Sequence, residues 1–327
     1  MGPTVVKRTS IAVGPVSPQP SWRWVGHHIL GELAADYRVA PFVSLQAPPR
    51  CDVLFIIKAR PTDDFLERAL RSGTRVVYVP IDAYLTRTQI HDDAALLGRC
   101  DAVVSHSERL LPELAPHCRR LRYVEHHTKY RLDPPRGFKE RGYVLWIGGF
   151  QYVPYLLQWL RSHALAAELK ILTDADNPRA AAAASQLAES LQLDCELRKG
   201  MSRVDGRAIL PWSESMQAAM LAECKAALDV KDESDFNQIC KPPTKAQQYI
   251  ASGIPFATNH GSSAFEYFER RGFRLALPTD TERWFSEEYW RQTHEQAAQL
   301  ALRLDSTTVG NSYRQLLDEL TAAGDLA

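Results

Sequence analysis

Short apolar, β-branched runs alternate along the chain with stretches whose apolar residues recur at helical spacing. Residues 10–14, 51–57, 75–79, 101–105 and 121–124 read as buried strands. Between them, 24–37, 63–72 and 108–115 read as helices, the second opening on acidic residues and stopping at Gly73. Strands that are apolar throughout and alternate with helices predict a parallel sheet covered on both faces. The pattern breaks at 132–140, where two prolines and a glycine among charges predict a linker. A second series follows, with strands at 143–147, 169–173, 226–230 and 255–258. Its helices fall at 151–163, 179–191 and 244–252, and the tail from 284 to 320 is mostly helical. The expectation is an α/β fold of two tandem Rossmann-like domains, 1–135 and 136–327, with the last helix in reach of the first domain. A cleft between the two domains is then the expected ligand site.

Composition narrows this picture by exclusion. The 327 residues are 45% hydrophobic and 24% charged, ordinary values for a soluble globular chain. Lys and Arg number 39 and Asp and Glu 39, so the net charge is zero, which argues against nucleic acid as a partner. The balance is uneven: up to residue 135 there are 18 basic against 14 acidic residues, and after it 21 against 25. The six cysteines form no CxxC pair and no zinc-ligand pattern, which predicts free thiols and no metal site. No apolar run is long enough to span a bilayer, and no apolar segment follows Lys7 and Arg8, so a cytoplasmic location is expected.

Candidate chemistry is densest at 241–258, Lys-Pro-Pro-Thr-Lys-Ala-Gln-Gln-Tyr-Ile-Ala-Ser-Gly-Ile-Pro-Phe-Ala-Thr. Thr244 reads as the N-cap of a helix whose free amides and positive dipole end suit a phosphate, with Lys241 and Lys245 on either side. The strand at 143–147 runs into Gly148-Gly149, a turn that lets backbone amides approach an anion. Trp212 lies in a loop before an amphipathic helix and offers an aromatic face for a base. In the first half, the loop 15–26 is rich in proline and carries Trp22 and Trp24, with His27 and His28 directly after it. Asp82 follows the 75–79 strand, and Glu125-His126-His127 follows the last strand of that half. Lys58, Arg60 and His106 are placed at strand ends by position alone.

The 241–258 run resembles the donor domain of GT-B nucleotide-sugar glycosyltransferases, where the segment reads Lys-x-x-Asn-Lys-x-x-Glu-(Tyr/Ala)-x-Ala-x-Gly-x-Pro. Thr244, Lys245, Gln248, Tyr249, Ala251, Gly253 and Pro255 match its positions. The chain departs from the pattern at Gln248, where the family has Glu, and at Cys240, where many retaining members have a second Glu. It departs again at Phe150 and Gln151, where Arg and Lys are common.

The resemblance implies metal-independent transfer of a sugar from a nucleotide diphosphate sugar, UDP favoured, with no other cofactor. It implies donor contacts from Gly148, Gly149, Trp212, Lys241, Thr244, Lys245 and Gln248, the last toward ribose. It implies acceptor contacts from Trp22, Trp24, Glu125 and His126, the acceptor being a small molecule, glycan or lipid-linked compound. Asp82, His27 and His28 are the candidate catalytic residues. Retention or inversion is left open. Two other readings remain: a non-catalytic nucleotide- or sugar-binding homologue, and a nucleotide-sugar epimerase. Asp174-Ala-Asp176 has the form of the metal–diphosphate motif of a different glycosyltransferase fold, and its place favours a helix-capping loop before Pro178 instead.

Overall fold

The computed structural model describes residues 8–174 and 207–322, with short pieces between 182 and 204. The chain divides into two compact units. The first comprises Met1–His127, Cys240–Pro242 and Arg303–Ala327, and the second Thr128–Ile239 and Pro243–Leu302.

The first unit is built on six parallel strands: β1 (Ser10–Gly14), β2 (Arg38–Pro41), β3 (Val53–Ile57), β4 (Arg75–Val79), β5 (Ala102–Ser105) and β6 (Leu121–Tyr123). Their order is β2-β1-β3-β4-β5-β6. Every residue of β1 and β3 is buried, as their unbroken apolar runs predict for strands covered on both faces. The pattern reading missed β2. It is a mostly exposed edge strand ending in proline, held to β1 by main-chain pairing rather than by an apolar face.

Helix Asp63–Arg71 starts where expected because the Thr62 hydroxyl accepts from the Phe65 amide at 3.2 Å. The helix expected at 24–37 is shorter and begins differently. A π-helical turn, Trp22–Gly26, runs into an α-helix at His27–Leu33. A Cβ on Gly26 would stand 2.2 Å from the Trp22 ring, so the glycine lets that ring lie across the turn. The tail forms helices Glu287–Arg303 and Ser306–Ala322. Val309, Tyr313, Leu316, Leu317 and Leu320 of the last helix share one core with Ile11, Val13 and Phe55. Helical spacing in the tail thus completes the first unit's core.

The second unit holds β7 (Val144–Ile147), β8 (Leu169–Thr173), β9 (Cys195–Glu196), β10 (Ser202–Val204), β11 (Arg207–Pro211), β12 (Ala226–Leu228) and β13 (Phe256–Ala257). Their order is β13-β12-β7-β8-β11-β10-β9. The first five run parallel, and β10 pairs antiparallel with both β11 and β9. The helix expected at 179–191 lies almost wholly outside the described residues, as does Asp176. The expected linker 132–140 is irregular and is tied down within this unit. Ser252 accepts from the Arg136 amide at 3.1 Å through its carbonyl and from the Leu132 amide at 3.0 Å through its hydroxyl.

Each sheet changes direction beside its first strand: β1 stands between β2 and β3, and β7 between β8 and β12. In open α/β sheets the crevice beyond the strand C-termini at such a reversal is where ligands bind. For β7 that crevice opens at Gly148-Gly149, and for β1 at the proline-rich loop.

Candidate functional site

Four strand and helix ends meet at the reversal in the second unit. The turn after β7 brings Gly148 so close to Trp146 that a Cβ would stand 2.3 Å from its ring. Asp174 accepts from the Phe150 amide at 2.9 Å and from the Thr173 hydroxyl at 3.0 Å. Its carboxylate therefore holds the glycine turn; the helix expected to follow it lies outside the described residues.

Helix Thr244–Ala251 begins at the expected residue, but its N-cap is not Thr244. Pro243 is its N-cap and makes no side-chain cap bond, and Thr244 is its first helical residue. The reason is geometric: Pro243 supplies a carbonyl that accepts from the Gln247 amide at 3.0 Å. The first-turn amides of Thr244, Lys245 and Ala246 lack intrahelical partners, as at any helix start.

Lys245 sits at this helix start with its Nζ 5.1 Å from the centre of the Trp146 ring and 3.4 Å from Asp229 Oδ1. Lys231 Nζ is 2.8 Å from the other oxygen of Asp229. Burial pulls the Lys245 ammonium down to about 8, against the opposing pull of Asp229. Two lysines sharing one carboxylate leave a net positive charge at the mouth of the turn. Asp229, just past β12, was absent from the sequence reading. A polar residue at the C-terminal end of an otherwise apolar parallel strand was the signal available.

Trp212 and Gln248 are joined through a third residue. Trp212 Nε1 donates to Gln217 Oε1 at 2.7 Å, and Gln217 Nε2 donates to Gln248 Oε1 at 3.3 Å. Gln217 is buried in helix Glu214–Glu223, whose Ser213 cap accepts from the Met216 amide at 3.0 Å. That helix is less amphipathic than expected because its inner face carries this glutamine beside Met220 and Leu221. Sequence reasoning missed Gln217, since its amide lies on the face that the pattern assigns to the core. Lys241 falls in Cys240–Pro242, which groups with the first unit.

In the first unit, Asp82 Oδ1 is 2.6 Å from Lys58 Nζ, a bond between the loops after β4 and β3. Both loops carry a non-glycine residue at positive φ: Lys58 itself at 61° and Ile81 at 55°. Such strain persists where surrounding structure holds it and gathers at functional sites.

The remaining first-unit residues separate. Trp22 is 4% exposed and belongs to the core, so its ring presents no face to an acceptor. His27 is exposed and meets Trp22 edge-on at 5.6 Å. His28 is buried, donates from Nε2 to the Ser306 carbonyl at 2.9 Å and stacks on His127 at 4.1 Å. His126 is buried against His106 at 4.2 Å, and Trp24 lies near His126 and His127 at 6.1 and 5.7 Å. Burial holds His28 and His126 below the usual imidazole value and pushes His106 down to about 4, so these three imidazoles are neutral at pH 7. Glu125 pairs with Arg303 at 3.1 Å. Glu125 and His126 are thus engaged inside this unit, which leaves Trp24 as the half-buried ring of the expected acceptor set. No group of three or more His, Cys, Asp or Glu suited to a metal occurs among the described residues. No described helix is long and apolar enough to cross a membrane.

The fold has known counterparts. HepE of Anabaena, solved with UDP-glucose, aligns at a TM-score of 0.63 and 11% identity over 95% of this chain and 100% of its own. A UDP-forming α,α-trehalose-phosphate synthase from Burkholderia vietnamiensis aligns at 0.63 and 9% identity over 97% of this chain and 98% of its own. AviGT4, a glycosyltransferase involved in avilamycin A biosynthesis, aligns at 0.58 and 11% identity over 96% and 98%. The fold is GT-B. No protein-family model matches the chain, and no curated protein matches it by sequence. The GT-B likeness is therefore one of architecture, spanning nearly the whole of both chains. It assigns the two reversal points, at β1 and β7, to the first and second Rossmann-like halves of that architecture.

Proposed function

We propose that this protein transfers a sugar from a nucleotide diphosphate sugar, of the UDP type, to an acceptor carried by the first unit. The observation that carries the reading is the meeting, in the second unit, of the Gly148-Gly149 turn, the Lys245 ammonium and the Trp212–Gln217–Gln248 chain. The Lys245 charge and the first-turn amides of Thr244–Ala251 suit a diphosphate, and they stabilise it as negative charge builds on the leaving group. In this reading no metal ion is needed for that step. Gln248 offers an amide to the ribose hydroxyls, and Trp212 offers a face to the base. HepE, which has the same fold, is solved with UDP-glucose.

Asp82 is the group proposed to act at the acceptor hydroxyl, with Lys58 setting its position. The exposed His27 and the neutral, buried His28 are weaker candidates. His28 already donates its Nε2 proton to the Ser306 carbonyl and is enclosed.

Calorimetric titration of the intact protein with UDP and GDP tests the donor site, and UDP release from UDP-glucose with an acceptor present tests turnover. Binding of neither nucleotide overturns the reading. Binding with no turnover across a broad acceptor panel favours a non-catalytic binding protein. Gln248 and Cys240, where the resembling family has carboxylates, motivate that second reading.

A further inference from the structure

We propose that the cavity at the strand ends of the first unit is the acceptor site, and that it takes a hydroxyl-rich molecule without an anionic group, a neutral glycoside. The inference rests on the sugar-transfer reading above and names its acceptor class. The cavity has a volume of about 560 Å³ and is walled by the loops after β1, β3 and β4 and by the helix Arg87–Asp92. It lies at the reversal of strand order beside β1, where this fold type leaves a crevice. Its size falls within the range of small-ligand sites.

Charge decides the ligand class. Two cations line the wall, and each already has a carboxylate at 2.6 Å: Lys58 faces Asp82, and Arg60 faces Asp93. Asp92 adds a lining carboxylate that makes no ion pair among the described residues. A phosphate or carboxylate entering the cavity meets no uncompensated cation and one bare anion. A neutral hydroxyl meets no such penalty.

The polar groups match hydroxyls, which both donate and accept. Gln89 is fixed by the Leu85 amide, which donates to its Oε1 at 2.6 Å, and this leaves the Gln89 NH2 as a donor. Ser17 and Gln19 line the β1 side. Tyr84, 5% exposed, and Tyr78 also line the cavity. The backbone strain at Lys58 and Ile81 falls on the two loops that hold the Lys58–Asp82 pair. The candidate base is thereby bonded to a lining residue of the same cavity.

The test uses the intact protein without donor. Saturation-transfer NMR is read with methyl β-D-glucoside and maltose as neutral probes and with glucose 6-phosphate as the anionic one. UDP binding is measured in parallel by calorimetry. The expected result is binding of a neutral probe, with glucose 6-phosphate at least tenfold weaker. Ala83→Trp, which fills the cavity, should abolish glycoside binding and leave UDP affinity within twofold. Ser17→Trp repeats the block from the β1 loop, so misfolding of one variant does not remove the test. Asp92→Asn should narrow the gap between glucose 6-phosphate and the neutral probes.

Tighter binding of glucose 6-phosphate than of the glycosides overturns the proposal. So does glycoside binding that survives both tryptophan variants. UDP binding with no glycoside bound overturns this inference and leaves the donor reading standing. Glycoside binding with no nucleotide bound overturns the donor reading, and with it the acceptor role, and leaves the cavity as a glycoside-binding site.

Discussion

Gln217 Nε2 donates to Gln248 Oε1, and that bond fixes which end of the Gln248 amide faces outward. A glutamate at 248 would accept the same bond through a carboxylate oxygen, now charge-assisted. Gln248→Glu should therefore fold normally and bind UDP more tightly, by about 1 kcal/mol or roughly fivefold. Calorimetry checks the affinity and thermal melting checks the fold. Weaker UDP binding by a folded variant would remove Gln248 from the ribose site.

Gln217→Leu keeps the volume of the side chain and removes both bonds that link Trp212 to Gln248. We expect UDP affinity to fall by about 1–2 kcal/mol, because the indole N–H and the Gln248 amide lose their common partner. Trp212→Ala should cost a similar amount through lost stacking. The double variant should then cost less than the sum of the two, since the residues act through one chain. Full additivity in the double-mutant cycle would separate them.

Lys245 carries the predicted pH dependence of donor binding. Its folded value is lowered to about 8 by burial, so the ammonium is charged below that pH and neutral above it. Affinity for UDP should be flat up to about pH 7.5 and fall as pH rises through 8, the direction in which the positive charge is lost. Lys245→Met should weaken binding more than tenfold, about 1.4 kcal/mol, and flatten the profile. A wild-type affinity constant from pH 7 to 9.5 would show that the charge does not face the ligand.

Gly148→Ala tests the turn through stability as well as binding. The added methyl meets a Trp146 ring that is 1% exposed and cannot swing into solvent. The expected cost is about 2 kcal/mol, or roughly 5 °C in Tm, with a parallel loss of UDP affinity. An unchanged Tm would mean that the turn opens freely.

The buried histidines predict acid lability of the first unit. His106 is held at about 4 by burial, while the unfolded side chain titrates near 6.5. As pH falls below 6.5 the unfolded chain takes up a proton that the folded chain refuses. Stability then drops by about 1.4 kcal/mol per pH unit until the folded group itself titrates near 4. His28 and His126 are lowered in the same direction and add to the slope. His106→Asn keeps a donor for the Val124 carbonyl and removes the titration. Urea unfolding at pH 7, 6 and 5 should show a slope shallower by one proton in this variant. An identical slope would place the lability elsewhere.

Much of the architecture was written in local pattern. The strands at 10–14, 75–79 and 169–173 match their observed bounds because each is short, apolar and buried on both faces. Apolar composition and burial coincide there, so a single window of sequence suffices. β2 escaped because an edge strand is specified by its partner's free main-chain groups, which no window contains. The capping of helix Thr244–Ala251 was misplaced by one residue, since the Pro243 carbonyl already accepts the first intrahelical bond, from the Gln247 amide, and places Thr244 inside the helix.

The candidate site was legible only where chemistry follows from neighbours in sequence. Lys245 and Gln248 lie on one helix, and Gly148-Gly149 ends one strand, so their residue types could be read directly. Which of them meet was decided by strand order: the reversal beside β7 sets the ends of β7 and β12 side by side and brings Asp229 to Lys245. Burial in turn took Trp22 into the core and enclosed His126, although the same residue types in the same loops read as acceptor groups. Sequence by itself determined the elements and the α/β class, because backbone propensity and apolar period act over a few residues. The tertiary structure decided exposure, protonation and partnership, because these depend on groups brought together from distant parts of the chain.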